Sequence, residues 1–174
     1  MPLICCKNTT PHIENCDIIV YYVKHKVYMS MDVIVIGGNK KQRKLVESVA
    51  NFMESLYFKR NRTLSIEFFL SRTIAKDCGV DGICCTFGTY KPREFEIGIS
   101  GLMSESDMIK TVIHELIHVK QYVKGELIDR THGKYKTIWK GKDHSKTSYS
   151  KQPWEKQAYR LQESLYKKYM LENR

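Results

Sequence analysis

An α+β domain is the fold class this sequence predicts, and three observations predict it. Strand-like and helix-like stretches follow one another in the order strand–helix–strand–strand–strand–helix–helix. The length of 174 residues suits one domain, read as 1–174, and the 42% of apolar residues is enough for a single core. No internal repeat or low-complexity tract divides the chain.

The elements are justified in order. The stretch "DIIVYYVKHKVYMSMDVIVIGG" is rich in β-branched and aromatic residues and predicts one or two strands, with residues 1–30 read as a peripheral strand or extension. Gly37, Gly38 and Asn39 break it. A helix is expected over 40–59, because Leu45, Val49, Phe52, Met53 and Leu56 recur at helical spacing. "TLSIEFFLSR" reads as a strand. "GICCTFGTYKPREFEIGIS" reads as two strands joined by a turn near Lys91 and Pro92. In the second of these, Phe95, Ile97 and Ile99 alternate with Glu94, Glu96 and Gly98, so one face is buried.

A helix over 105–124 follows. Ser104 and Asp107 form a capping box at its start. Met108, Ile109, Val112, Ile113, Leu116, Tyr122 and Val123 supply its apolar positions. Lys120 and Lys124 suit its last turn, and Gly125 stops it. The last helix is expected to begin near Pro153, a good first helical residue, with Trp154, Ala158, Leu161 and Leu165 as its stripe.

No run of about 18 apolar residues is present, so no membrane span is expected. The start, "MPLICCKNTTPH", has neither a basic n-region nor a long apolar h-region, and an intracellular protein is expected. Its six cysteines, Cys5, Cys6, Cys16, Cys78, Cys84 and Cys85, are then free thiols. Their spacing matches no zinc-binding pattern, so no cysteine metal site is expected. The net charge is +10, and from Lys120 to Lys151 nine lysines and arginines face three acidic residues. In "KYKTIWKGK", Lys134, Lys136, Lys140 and Lys142 take alternate positions, with Tyr135 and Trp139 between them. As a strand or hairpin arm this segment has one lysine face and one aromatic face. The lysine face either contacts nucleic acid or an acidic partner, or guards a sheet edge against aggregation.

The chemistry concentrates in "TVIHELIHVKQYVKGEL". Residues four apart share a helix face, so His114 and His118 point the same way and can bind one metal ion. Glu115 lies about 100° around the helix, at the flank of that face. It can serve a metal-activated water as general base without displacing a ligand. This is the H-E-x-x-H pattern, two zinc ligands with a base between them. Buried without partners, these groups would be costly, and a metal would satisfy all three. A catalytic zinc takes three protein ligands. Gln121 and Lys124 stand where a metzincin has glycine and histidine, which excludes that pattern. His132, His144 and Glu155 remain as third-ligand candidates.

At this point the sequence resembles small zinc metallopeptidases of bacteriophages. The pieces are "HELIHVKQYVKGEL" at 114–127, "WKGK" at 139–142, Tyr149, and "QPWEKQAY" at 152–159. The resemblance covers the C-terminal 60–70 residues or so. It implies a zincin-like fold, with a small mixed sheet packed against an active-site helix and a C-terminal helix. It also implies one zinc held by His114, His118 and Glu155, peptide-bond hydrolysis with Glu115 as base, a protein or peptide substrate, and a phage or viral setting. By the same resemblance the strand "REFEIGIS" edges the cleft. Thermolysin-like enzymes often carry an aspartate four residues after the glutamate ligand, where this chain has Tyr159. A rival likeness is to SprT-like proteases, which act on DNA-bound proteins. There His-Gly follows the motif, as His132-Gly133 does here, and His132 would be the third ligand. A zinc-containing binding module without peptidase activity is the other class. Tyr149, His132 and His144 are candidates for donating to the oxyanion.

Overall fold

A computed structural model describes residues 31–59, 63–87, 91–130 and 136–173. The expected strand or extension within 1–30 lies outside these residues, as do Cys5, Cys6, Cys16, His132, Lys134 and Tyr135. The chain runs β1 (Asp32–Gly37), α1 (Lys40–Met53), β2 (Ser65–Ser71), α2 (Ile74–Cys78), β3 (Gly82–Phe87) and β4 (Glu94–Ser100). It continues through α3 (Glu105–Val123), β5 (Leu127–Arg130), β6 (Lys136–Trp139), β7 (Lys142–Asp143) and α4 (Pro153–Glu172). The α+β class is borne out, with a small mixed sheet and four α-helices among the described residues.

The main sheet has the order β1-β2-β4-β3. β1, β2 and β4 are parallel, and β3 runs antiparallel to β4. Register places Ile66 beside Phe95, Phe68 beside Ile97 and Leu70 beside Ile99. All six are buried and pack with the apolar stripes of α1 and α3 into one core. The alternation read in β4 therefore holds, with Glu94 exposed at its start. β4 does not edge the sheet, however. It is paired on both sides, and the terminal strand next to it is β3.

Local signals account for the helix ends. Asn39 caps α1 through a reciprocal pair with Gln42, Asn39 Oδ1 accepting from the Gln42 N–H at 3.0 Å. The helix expected over 40–59 is α-helical to Met53 and closes with a π-helical turn, Glu54–Phe58. At α3, the Ser104 hydroxyl accepts the Asp107 N–H at 3.2 Å and donates to Asp107 Oδ2 at 2.6 Å. The box is thus half formed: the shorter aspartate meets the hydroxyl in place of the backbone N–H. α4 starts at Pro153 as expected.

Two features escaped the pattern reading, the short α2 and a second sheet of order β5-β6-β7. In that sheet Lys140 and Gly141, both at positive φ, turn the chain between β6 and β7. The turn breaks the expected lysine face. Trp139 pairs with Lys142, so their side chains share a face, while Lys136, three residues before Trp139, points to the other. Lys120 leaves the basic surplus too, paired to Glu126 at 2.9 Å. No helix of the described residues is long and apolar enough to cross a membrane.

Candidate metal centre

α3 and α4 pack side by side, and the donors meet between them. Ala158, fully buried, presents only a methyl group at this contact. Trp154, also fully buried, anchors the first turn of α4 against Trp139, with ring centroids 6.2 Å apart. Glu155 is thereby turned inward toward the two histidines. His114 Nε2 and His118 Nε2 are 3.1 Å apart. Glu155 Oε2 is 3.3 Å from His114 Nε2, and Oε1 is 3.4 Å from His118 Nε2. All three residues are buried, and together they form a group able to hold a metal ion.

The remaining hydrogen bonds orient these donors. His118 Nδ1 lies 2.9 Å from Gln121 Oε1. The Gln121 amide nitrogen donates to the Trp154 carbonyl at 3.1 Å and to Gln157 Oε1 at 3.0 Å. Since the Trp154 carbonyl can only accept, the Gln121 oxygen must face the imidazole, and His118 Nδ1 carries a proton. His114 Nδ1 meets Gln162 Oε1 in the same way at 3.0 Å. Both rings therefore turn Nε2 toward Glu155, as metal-binding histidines do when their other nitrogen is held.

The spacing suits a small cation. Ligands about 2.0–2.2 Å from a tetrahedral ion lie about 3.3–3.6 Å from each other. The separations of 3.1, 3.3 and 3.4 Å lie at or just below that range, the two to Glu155 being made through different carboxylate oxygens. In the metal-free chain a proton takes the cation's place. Burial pulls the His118 imidazolium down, but the hydrogen bond and charge of Glu155, with Glu115 and Gln121, override it and raise His118 to about 9. Burial likewise opposes ionisation of Glu155, yet hydrogen bonds from His114 and His118, and their charges, hold its carboxyl below the usual range.

Glu115 is buried beside this group and is not one of its donors. Burial pushes its pKa up, the charges of His118 and His114 pull it down, and Glu155 pushes it up again; the net direction is upward. β3 passes directly over it. A Cβ built on Gly82 would lie 2.7 Å from Glu115 Oε1 and 2.5 Å from Thr111 Cγ2. Any side chain at 82 would have to push the carboxylate or the Thr111 methyl aside.

Of the other candidates, Tyr149 is brought to the site, its hydroxyl 3.2 Å from Glu155 Oε2. Burial, then the charge of Glu155 and the neighbouring Tyr159, raise its pKa well above the usual value. His144 is not brought there. Its ring stands edge-on to Trp154, and its Nδ1 bonds Thr147. Tyr159, at the position where an aspartate was looked for, packs its ring against His114 at 4.6 Å. Gln162, a turn further along α4, takes the bond to His114. Pattern reading missed Gln121, Gln162 and Gly82. The one signal for the glutamines was a polar residue three positions after His118 and another seven after Glu155 on inward faces.

Comparison of the chain with protein-family profiles, with curated proteins and with solved structures finds no match.

Proposed function

We propose that this chain is a zinc-dependent metallopeptidase of zincin-like fold, with His114, His118 and Glu155 as metal ligands and Glu115 as general base. The observation that carries this reading is the division of labour at the site. Three buried donors lie within 4.8 Å of one another, while a second buried acid, Glu115, stands beside them outside the donor set. A structural zinc site closes with four protein ligands, so three favour an enzyme. The donor set of two imidazoles and one carboxylate suits zinc. The likeness of 114–127 and 152–159 to phage metallopeptidases points the same way.

Zinc, when bound, supplies a Lewis acid that brings the pKa of water toward neutrality and polarises a carbonyl oxygen. The rest falls to the chain's own residues. Glu115 accepts the proton of the attacking water at its carboxylate and delivers it to the leaving amine nitrogen. Its upward-shifted pKa makes it a better proton acceptor than an exposed glutamate. Gln121 and Gln162 hold the histidine rings so that Nε2 remains the donor.

Zinc content and peptide hydrolysis test the reading together. Glu155→Ala should lose the metal, and His132→Ala should keep it. Glu115→Gln should keep metal and fold while hydrolysis falls at least about a hundredfold. Loss of zinc in the His132 variant alone would move the site to the SprT-like arrangement, and unchanged turnover in Glu115→Gln would remove the catalytic reading.

A further inference from the structure

The two oxygens of Glu155 are not equivalent. Oε1 faces His118 Nε2 at 3.4 Å. Oε2 faces His114 Nε2 at 3.3 Å and also meets the Tyr149 hydroxyl at 3.2 Å. An ionised carboxylate has no proton to give, so Tyr149 is the donor of that bond. Tyr159 is its other hydrogen-bonded neighbour. Tyr159 is fixed in turn by its ring, which stands edge-on against His114 at 4.6 Å. Tyr149 sits in the short 3₁₀ turn Tyr149–Lys151, just ahead of α4, so its backbone moves with the helix that carries Glu155.

We propose that Tyr149 is a positioning residue: by occupying Oε2 it makes Glu155 a one-oxygen ligand through Oε1 and keeps one coordination position open. The inference rests on the metal-site reading of His114, His118 and Glu155. Its consequence is chemical. A carboxylate that binds through both oxygens, beside two imidazoles, supplies four donor atoms and closes the set in the manner of a structural zinc. A carboxylate with one oxygen committed elsewhere supplies three donor atoms in all. Tyr149 then decides whether the site can bind a reactant, although it touches no ligand nitrogen itself.

Cobalt(II) is the probe, because its visible absorption falls severalfold as coordination rises from four to five or six. Wild type, Tyr149→Phe and Tyr159→Phe are loaded with one equivalent each, and their folds compared by circular dichroism. The phenylalanine at 149 keeps the ring of a side chain already 39% exposed, so the fold is expected to persist. Tyr149→Phe should lose several-fold absorption intensity and give up cobalt to a chelator about tenfold less readily, since both oxygens can now bind. Tyr159→Phe, which leaves the Tyr149 donor in place, should keep the wild-type spectrum. Identical spectra for wild type and Tyr149→Phe would overturn the inference while leaving the metal site standing. So would the same loss in both variants, which would trace the effect to loosened packing around Glu155 and His114. A wild type that takes up no cobalt would overturn the metal-site reading, and this inference with it.

Discussion

Replacing Gln121 by leucine isolates the polar role of one buried side chain. Gln121 is wholly buried and makes three hydrogen bonds, to His118 Nδ1, to the Trp154 carbonyl and to Gln157. Leucine keeps most of the volume and removes all three. Gln157 is only half-buried and can turn to water. The His118 Nδ1–H and the Trp154 carbonyl cannot, and each buried orphan costs about 1–3 kcal/mol. The apolar burial of leucine offsets part of this, leaving a loss of about 2–4 kcal/mol. For a chain of this length that lowers Tm by about 5–15 °C. The second effect falls on the metal. Without Gln121 nothing holds His118 in the tautomer that exposes Nε2, and nothing ties that ring to the backbone next to Glu155. Affinity should drop about 10–100-fold. Thermal unfolding of the metal-free protein reads the first quantity, and competition with a chelator reads the second. Gln162→Leu, on a half-buried side chain that hydrogen-bonds His114, should cost less on both. A Gln121→Leu protein with unchanged Tm and metal affinity within about twofold of wild type would refute the reasoning.

Gly82→Ala places a methyl group 2.7 Å from Glu115 Oε1 and 2.5 Å from Thr111 Cγ2; it should cost about 1–3 kcal/mol in chemical denaturation. Because the carboxylate is the freer neighbour, hydrolysis should fall far more than metal content, and equal losses of both would contradict the placement of the base. His118 is raised from 6.5 to about 9 by its partners. Its contribution to the stability of the metal-free chain is therefore full below about 6.5 and lost as pH rises through 9, whereas that of Glu155, whose pKa is lowered, is lost on acidification. Metal uptake near pH 7.5 should accordingly release about one proton, as read by calorimetry in buffers of different ionisation enthalpy, and release should halve near pH 9 and fade above it. For the basic segment, Lys136 and Lys142 lie on opposite faces of their hairpin. DNA titrations at two salt concentrations should therefore show no log–log slope approaching the value of about −3 that a four-lysine face would produce.

What the sequence by itself determined was local. The extent of α3 follows from apolar spacing between Ser104 and Gly125. The start of α4 follows from Pro153, and the buried face of β4 from alternation across Phe95, Ile97 and Ile99. Each signal lies within one element, where 3.6- or 2-residue geometry acts directly on the chain. His114, Glu115 and His118 were legible for the same reason, since one helical turn sets their relation. Only the tertiary structure brought Glu155 to them across 41 residues, by packing α4 on α3 around Ala158 and Trp154, and it left His144 against Trp154 instead. It also assigned Gln121 and Gln162 their imidazoles, because the direction of a side-chain amide depends on every partner around it. The edge of the sheet fell to β3 and not to β4, since strand order is a long-range choice that alternation within a strand cannot express. The lysines of 136–142 parted for a related reason: a two-residue turn changes which face each following residue takes, and the positive φ values of Lys140 and Gly141 become visible only once β6 and β7 pair.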